Sequence, residues 1–149
     1  MYLNDEGYND PTAGQAIGNI IGKYKKEQRD KRAKQNALKS RKKVYIVSKY
    51  AGDTAANIKA ARRYCRFAVA QKYIPIASHL LFPQFLNDTK YEEREIGLMY
   101  GLALLAQCQQ VWVFGADFSE GMKAEIEEAR KLGKRVRFFN EQMGEVVCR

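Results

Sequence analysis

From residue 43 onward, short apolar runs alternate with stretches whose apolar residues recur every three or four positions. Val44-Tyr45-Ile46-Val47, Tyr73 to Ala77, Val111-Trp112-Val113-Phe114 and Arg135 to Phe139 predict strands. Between them, Thr54 to Gln71 carries Ile58, Ala61, Cys65 and Ala68 at helical spacing, and Tyr91 to Gln107 is apolar on a broad face after Ile96. Ser119 to Leu132 predicts a third helix closed by Gly133, and Ser78 to Thr89 reads as a longer loop. This alternation is that of a parallel sheet of at least four strands with helical crossovers, an α/β three-layer domain of flavodoxin-like or Rossmann-like type.

Residues 1–42 differ. Asp10-Pro11-Thr12 suits a turn or helix start, and Ala13 through Ser40 is rich in helix formers with only Ile17, Ile20 and Ile21 as an apolar face. The division expected is a basic, partly helical arm over 1–42 and an α/β domain over 43–149. The net charge of +9 is concentrated there, because residues 23–43 hold eleven basic and two acidic side chains. Such a run suits a solvated arm, a nucleic-acid contact or an oligomerisation helix; Tyr24 is its one aromatic residue and no base-reading motif accompanies it.

Composition sets outer bounds. The chain has 149 residues, 46% of them hydrophobic, which is enough to bury a core and excludes disorder throughout. Cys65, Cys108 and Cys148 are odd in number and have no C-x-x-C spacing, so a reducing, cytoplasmic setting is expected rather than a disulfide framework. No apolar stretch approaches the roughly 18 residues needed to span a bilayer, and no membrane partner is expected. With one histidine and scattered cysteines, neither a metal nor another cofactor is called for.

In open parallel sheets the ligand crevice lies beyond the carboxyl ends of the strands, which directs attention to residues 48–53, 77–85 and 115–121. Ser48, Lys49, Tyr50, Asp53, His79 and Gly115 are the candidate ligand contacts from these loops, joined by Ser119, Gly121 and Met122 at the next helix start. Counting about 100° per residue from Met122, Ile126, Ala129 and Leu132 fall at about +40°, −20° and −80°, the face expected to pack on the sheet. Glu125 falls inside that arc at about −60°, while Glu120, Glu127 and Glu128 fall outside it. A carboxylate turned to the apolar side is costly unless it is hydrogen-bonded or functional; a rim position favoured by the helix dipole is the plainer alternative. Ser119 suits an N-cap, and Gly121 lets a ligand approach the free backbone N–H groups of the first turn.

Lys43-Val44-Tyr45-Ile46, the Asn57 helix, Cys108 before a hydrophobic strand, and S-x-G-x-x-x-E at Ser119, Gly121 and Glu125 followed by Ala129 and Gly133-Lys134 resemble the nucleoside 2-deoxyribosyltransferase-like family. That family includes many uncharacterised phage and bacterial members. The resemblance spans roughly residues 43–139. It implies a domain that binds a nucleoside or nucleotide and attacks the anomeric carbon with a glutamate. Glu125 takes the nucleophile's position and Tyr45 that of a tyrosine that holds the carboxylate by a hydrogen bond. Ser119 stands where members acting on nucleoside 5′-monophosphates contact phosphate. A homo-oligomer is implied as well, one subunit completing its neighbour's pocket.

The chain also departs from the family pattern. The additional aspartate usual in the helix before the third strand has no counterpart, since residues 101–110 contain no acidic side chain. The first loop lacks the usual small, Gly-containing sequence; Lys49 and Tyr50 offer a cation and a stacking ring instead. His79 is a candidate replacement acid or a structural loop histidine. Asp53 and Asn57 suit the cap and first turn of the first domain helix, Asp53 with a further chance of reaching the site. Trp112 suits the core, and the apolar run 80–86 suits a cover over the crevice or a subunit contact. Two functions follow, an N-glycosidic hydrolase or transferase acting on a nucleoside or nucleoside monophosphate through Glu125, and a binding module of phage or mobile-element origin that senses or sequesters a nucleotide without turnover.

Overall fold

The structure, a computed structural model, describes residues 5–7 and 10–147; Cys148 lies outside them. It divides into two compact units, 1–40 and 41–149. In the first, helix α1 spans Pro11–Lys39. Asp10 starts it by accepting from Thr12 N and Ala13 N at 2.9 and 3.1 Å, with proline at the first position, where its missing N–H costs nothing. None of its residues is buried.

The second unit is built on a five-stranded sheet of β1 (Lys43–Val47), β2 (Ile74–Ile76), β3 (Gln110–Phe114), β4 (Arg135–Phe139) and β5 (Glu145–Val146), in the order β2-β1-β3-β4-β5. The first four run parallel, with Val44 opposite Gln110 and Gln110 opposite Arg135; β5 is antiparallel to β4. Helices α2 (Thr54–Ala70), α3 (Tyr91–Ala106) and α4 (Glu120–Lys131) connect the parallel strands. Side chains on β1 and β3 alternate between two cores. Tyr45, Val47, Val111 and Val113 pack with Leu105 of α3 and Met122, Ile126 and Ala129 of α4. Val44, Ile46, Trp112 and Phe114 pack with Tyr64 and Ala68 of α2. Burial on both faces is why these strands read as unbroken apolar runs. Trp112 lies in the core with no exposed surface.

The expected loop over 78–89 contains two 3-10 turns, Ser78–Leu80 and Phe82–Gln84, that bring polar and apolar side chains back to the sheet edge. One expectation is corrected. Leu132 is 45% exposed instead of packed, because α4 stops at Lys131 and Gly133 turns the chain away with φ at +68°. The sheet gains β5, which follows a turn in which Asn140 Oδ1 accepts from Gln142 N and Gly144 N at 3.0 and 2.8 Å. Arg137 then holds Glu145 through two bonds of 2.9 and 2.7 Å. Cys65 and Cys108 are free thiols, half-buried and buried. Among the described residues no helix is long and apolar enough to cross a membrane.

Candidate active site

The strand order reverses between β1 and β3, so the connections that follow them lead to opposite faces of the sheet and leave a crevice between the loops. Tyr45, in the middle of β1, points to the α3 and α4 side and is fully buried. Its hydroxyl donates to Glu125 Oε1 at 2.7 Å and lies 2.6 Å from Ser78 Oγ. A phenol has one proton, so with that proton directed at Glu125 it is Ser78 that donates to Tyr45. Burial pushes the Glu125 carboxyl up to about 7, partly opposed by the hydrogen bond from Tyr45. Burial, and then the charge of Glu125, push the Tyr45 phenol well above its ordinary value.

Space for this triad depends on Gly101 of α3. A Cβ there would sit 3.1 Å from Tyr45 Oη and 3.2 Å from Ser78 Oγ, tighter than ordinary contact. Periodicity placed Glu125 inward, but neither Ser78 nor Gly101 carried a signal, because each matters through a partner distant in sequence.

Glu125 borders a cavity of about 250 Å³, a little below the roughly 300–1,000 Å³ usual for small-molecule sites. Of the residues expected to contact a ligand, Ser48, Tyr50, His79, Ser119, Gly121 and Met122 line it. Tyr45 stands behind Glu125 in the core. Lys49 and Gly115 line a second cavity on the α2 side of the sheet edge, with Ser48 common to both. Asp53 serves as the α2 N-cap, accepting from Ala56 N at 3.2 Å, and borders neither cavity. Asn57 donates to Tyr50 O and Ala51 O at 3.1 and 3.0 Å, fixing the first loop.

His79, a candidate acid or a structural loop histidine, lies in the lining of this cavity. Its Nε2 is 2.9 Å from Ser48 Oγ, and burial lowers its pKa to about 4, so the ring is neutral at neutral pH. The ring of Tyr50 meets it edge-on at 6.4 Å between centroids. Acidic side chains enter the cavity from elsewhere, Asp88 before α3 and Glu93 in its first turn, together with Arg94. Glu93 accepts from Asn87 N and lies 3.9 Å from Lys90 Nζ. Phe82, Pro83 and Leu86 supply the apolar wall, while Leu81 and Phe85 of the same run are exposed.

On the opposite side, Ser119 caps α4 by accepting from Met122 N at 3.3 Å. The N–H groups of Glu120 and Gly121 precede the helical ladder and point out of the helix start. A Cβ on Gly121 would meet only Ser119 Oγ, at 3.9 Å, so the approach to these donors is open. The arrangement combines a carboxyl poised near neutrality, an anion-accepting helix start and an aromatic and apolar wall. Among the described residues no group of three or more His, Cys, Asp or Glu side chains is placed to hold a metal ion.

Among solved structures, the chain resembles a 2-deoxyribosyltransferase from Bacillus psychrosaccharolyticus with a TM-score of 0.57. The identity is 16%, over 71% of this chain and 77% of that one, a likeness of fold. No curated protein matches the sequence. Residues 42–139 match the family described as Domain of unknown function (DUF7768), and the chain belongs to that family.

Proposed function

We propose that the 43–149 domain cleaves or transfers the N-glycosidic bond of a nucleoside or nucleoside monophosphate, with Glu125 as nucleophile and Tyr45 orienting it. One observation carries this: the carboxyl of Glu125, turned inward beside a cavity, receives a 2.7 Å hydrogen bond from a buried tyrosine. The fold likeness to a 2-deoxyribosyltransferase supports it, as does the flavodoxin-like strand order 2-1-3-4-5. A Glu125 oxygen attacks the anomeric carbon, a C1′–O bond forms and the C1′–N bond breaks, its electron pair leaving with the base. Water, or a second base, then displaces the carboxylate from C1′. Ser119 and the N–H groups of Glu120 and Gly121 hold a 5′-phosphate or a sugar hydroxyl. Ser48, Tyr50, His79 and Met122 complete the contacts.

The test is incubation with nucleosides, their monophosphates and NAD, with free base followed by chromatography. Release from at least one compound, reduced about 10³-fold or more in Glu125→Ala, is the expected result. The second reading, binding without turnover, is favoured by the absence of an acid in residues 101–110 and by the neutral ring of His79. Tight binding without release would select it. Neither binding nor release across the panel would defeat both.

A further inference from the structure

The cavity beside Glu125 is lined by more acidic than basic side chains. Asp88 and Glu93 line it from the α3 side and Glu120 from the α4 side, against the single guanidinium of Arg94. Glu120 is largely in solvent and paired with Lys123 at 3.0 Å, so it contributes least. Glu93 is held by Asn87 N, with Lys90 at 3.9 Å outside the lining, and Asp88, in the lining, is exposed. Tyr50 and Phe82 add aromatic surfaces to the same space, and aromatic faces attract cations.

Apart from Asp88 and Glu93 themselves, the groups around Glu125 have few protons to give. The Tyr45 hydroxyl donates to Glu125, which leaves Ser78 to donate to Tyr45. The Nε2 of His79 is engaged by Ser48. A neutral base leaves as an anion unless protonated, and lost acid assistance costs about 10² to 10⁴ in rate. A base that already bears a positive charge leaves neutral and needs no proton.

We infer that the site takes N-glycosides whose base is already cationic, such as a pyridinium or a ring-alkylated purine, with Asp88, Glu93 and the rings of Tyr50 and Phe82 attracting the charge. This rests on the reading of Glu125 as nucleophile. A Glu125 oxygen bonds to C1′ while the C1′–N pair returns to the ring nitrogen, cancelling its positive charge and releasing a neutral base. Water then attacks C1′; its hydroxyl stays on the sugar, its proton passes to solvent, and the carboxylate is freed.

Matched pairs test the inference on the full chain: 7-methylguanosine against guanosine, and nicotinamide riboside against its uncharged dihydro form. Because a cationic base is also the better leaving group without any enzyme, binding is measured separately on Glu125→Gln by calorimetry. The expected result is release confined to the cationic member of each pair, and binding of that member about tenfold tighter. Adding Asp88→Asn and Glu93→Gln should abolish the binding preference, with circular dichroism showing the fold intact. Equal binding of both members, or a preference that survives both substitutions, overturns the inference and leaves Glu125's role standing. Guanosine release that disappears in Asp88→Asn also overturns it, by making Asp88 a proton donor. No release from any of the four overturns the inference, whereas release undiminished in Glu125→Ala defeats the nucleophile reading itself.

Discussion

Glu125 and His79 face one cavity, and burial displaces their titrations in opposite directions, the carboxyl up to about 7 and the imidazole down to about 4. Both shifts penalise the charged form. For Glu125 the unfolded chain titrates near the ordinary 4.5, so between about 4.5 and 7 the folded state holds more protons. Its contribution to stability is complete below that window and lost as pH rises through it. His79 has the reverse sign: between about 6.5 and 4 the unfolded chain binds the extra proton, and stability falls as pH falls. Glu125→Gln keeps an acceptor for Tyr45 but removes the titration. It should be more stable than the wild type by about 1–3 kcal/mol near pH 8 and nearly equal near pH 4, measured by denaturant unfolding. A variant stabilised equally at both pH values would contradict a buried, titrating carboxyl. In an active protein the same group sets kcat/KM, which should rise with pH to a midpoint near 7 as the nucleophile loses its proton.

At the scale of elements, α3 sets the geometry of the pair formed by β1 and α4, because Gly101 leaves room for the Tyr45 and Ser78 hydroxyls. Gly101→Ala gains up to about 1 kcal/mol of helix propensity and meets an overpacking cost of about 1–3 kcal/mol. The net expectation is slight destabilisation, a loss of about tenfold or more in kcat/KM from displaced alignment, and a pH midpoint above that of the wild type. The last follows because the Tyr45 hydrogen bond is what holds Glu125 down. An unchanged midpoint would show that the hydroxyls had not moved. This dependence marks the limit of what the sequence discloses. The runs 44–47 and 111–114 were legible as strands because both their faces are buried, and Glu125 was legible because α4 keeps a regular apolar face. Gly101 sits 56 residues from Tyr45 in sequence, and nothing in local periodicity encodes a space left for a hydroxyl. Leu132 obeyed the same periodicity and still lies exposed, since helical phase carries no meaning past the last turn. β5 has two residues and is held by the Arg137–Glu145 pair and the Asn140 turn rather than by alternation. The depressed titration of His79 comes from burial of its ring, which a lone histidine in a loop of the sequence does not disclose.

Across the whole molecule, the two units have separate grounds for stability. Every strand partner of the sheet lies between Lys43 and Val146, and both buried clusters are drawn from Val44 to Phe139. Unit 41–149 therefore contains its own core. Deleting residues 1–40 should leave one cooperative unfolding transition, and its loss by thermal or denaturant melting would contradict that independence. Helix α1 is about 43 Å long at about 1.5 Å per residue, and it buries no residue of its own. It carries eight of the eleven basic side chains found in residues 23–43, among them Lys25, Arg29 and Arg32 on successive turns. A duplex bound by such a helix is held through its phosphates, so the logarithm of the binding constant must fall linearly with the logarithm of salt concentration. The expected outcome is a steep slope for the full chain and a shallow one, with weak binding throughout, for 41–149. Equal slopes in the two proteins would assign the basic run to solvent and leave the sheet edge as the place where this chain meets its ligand.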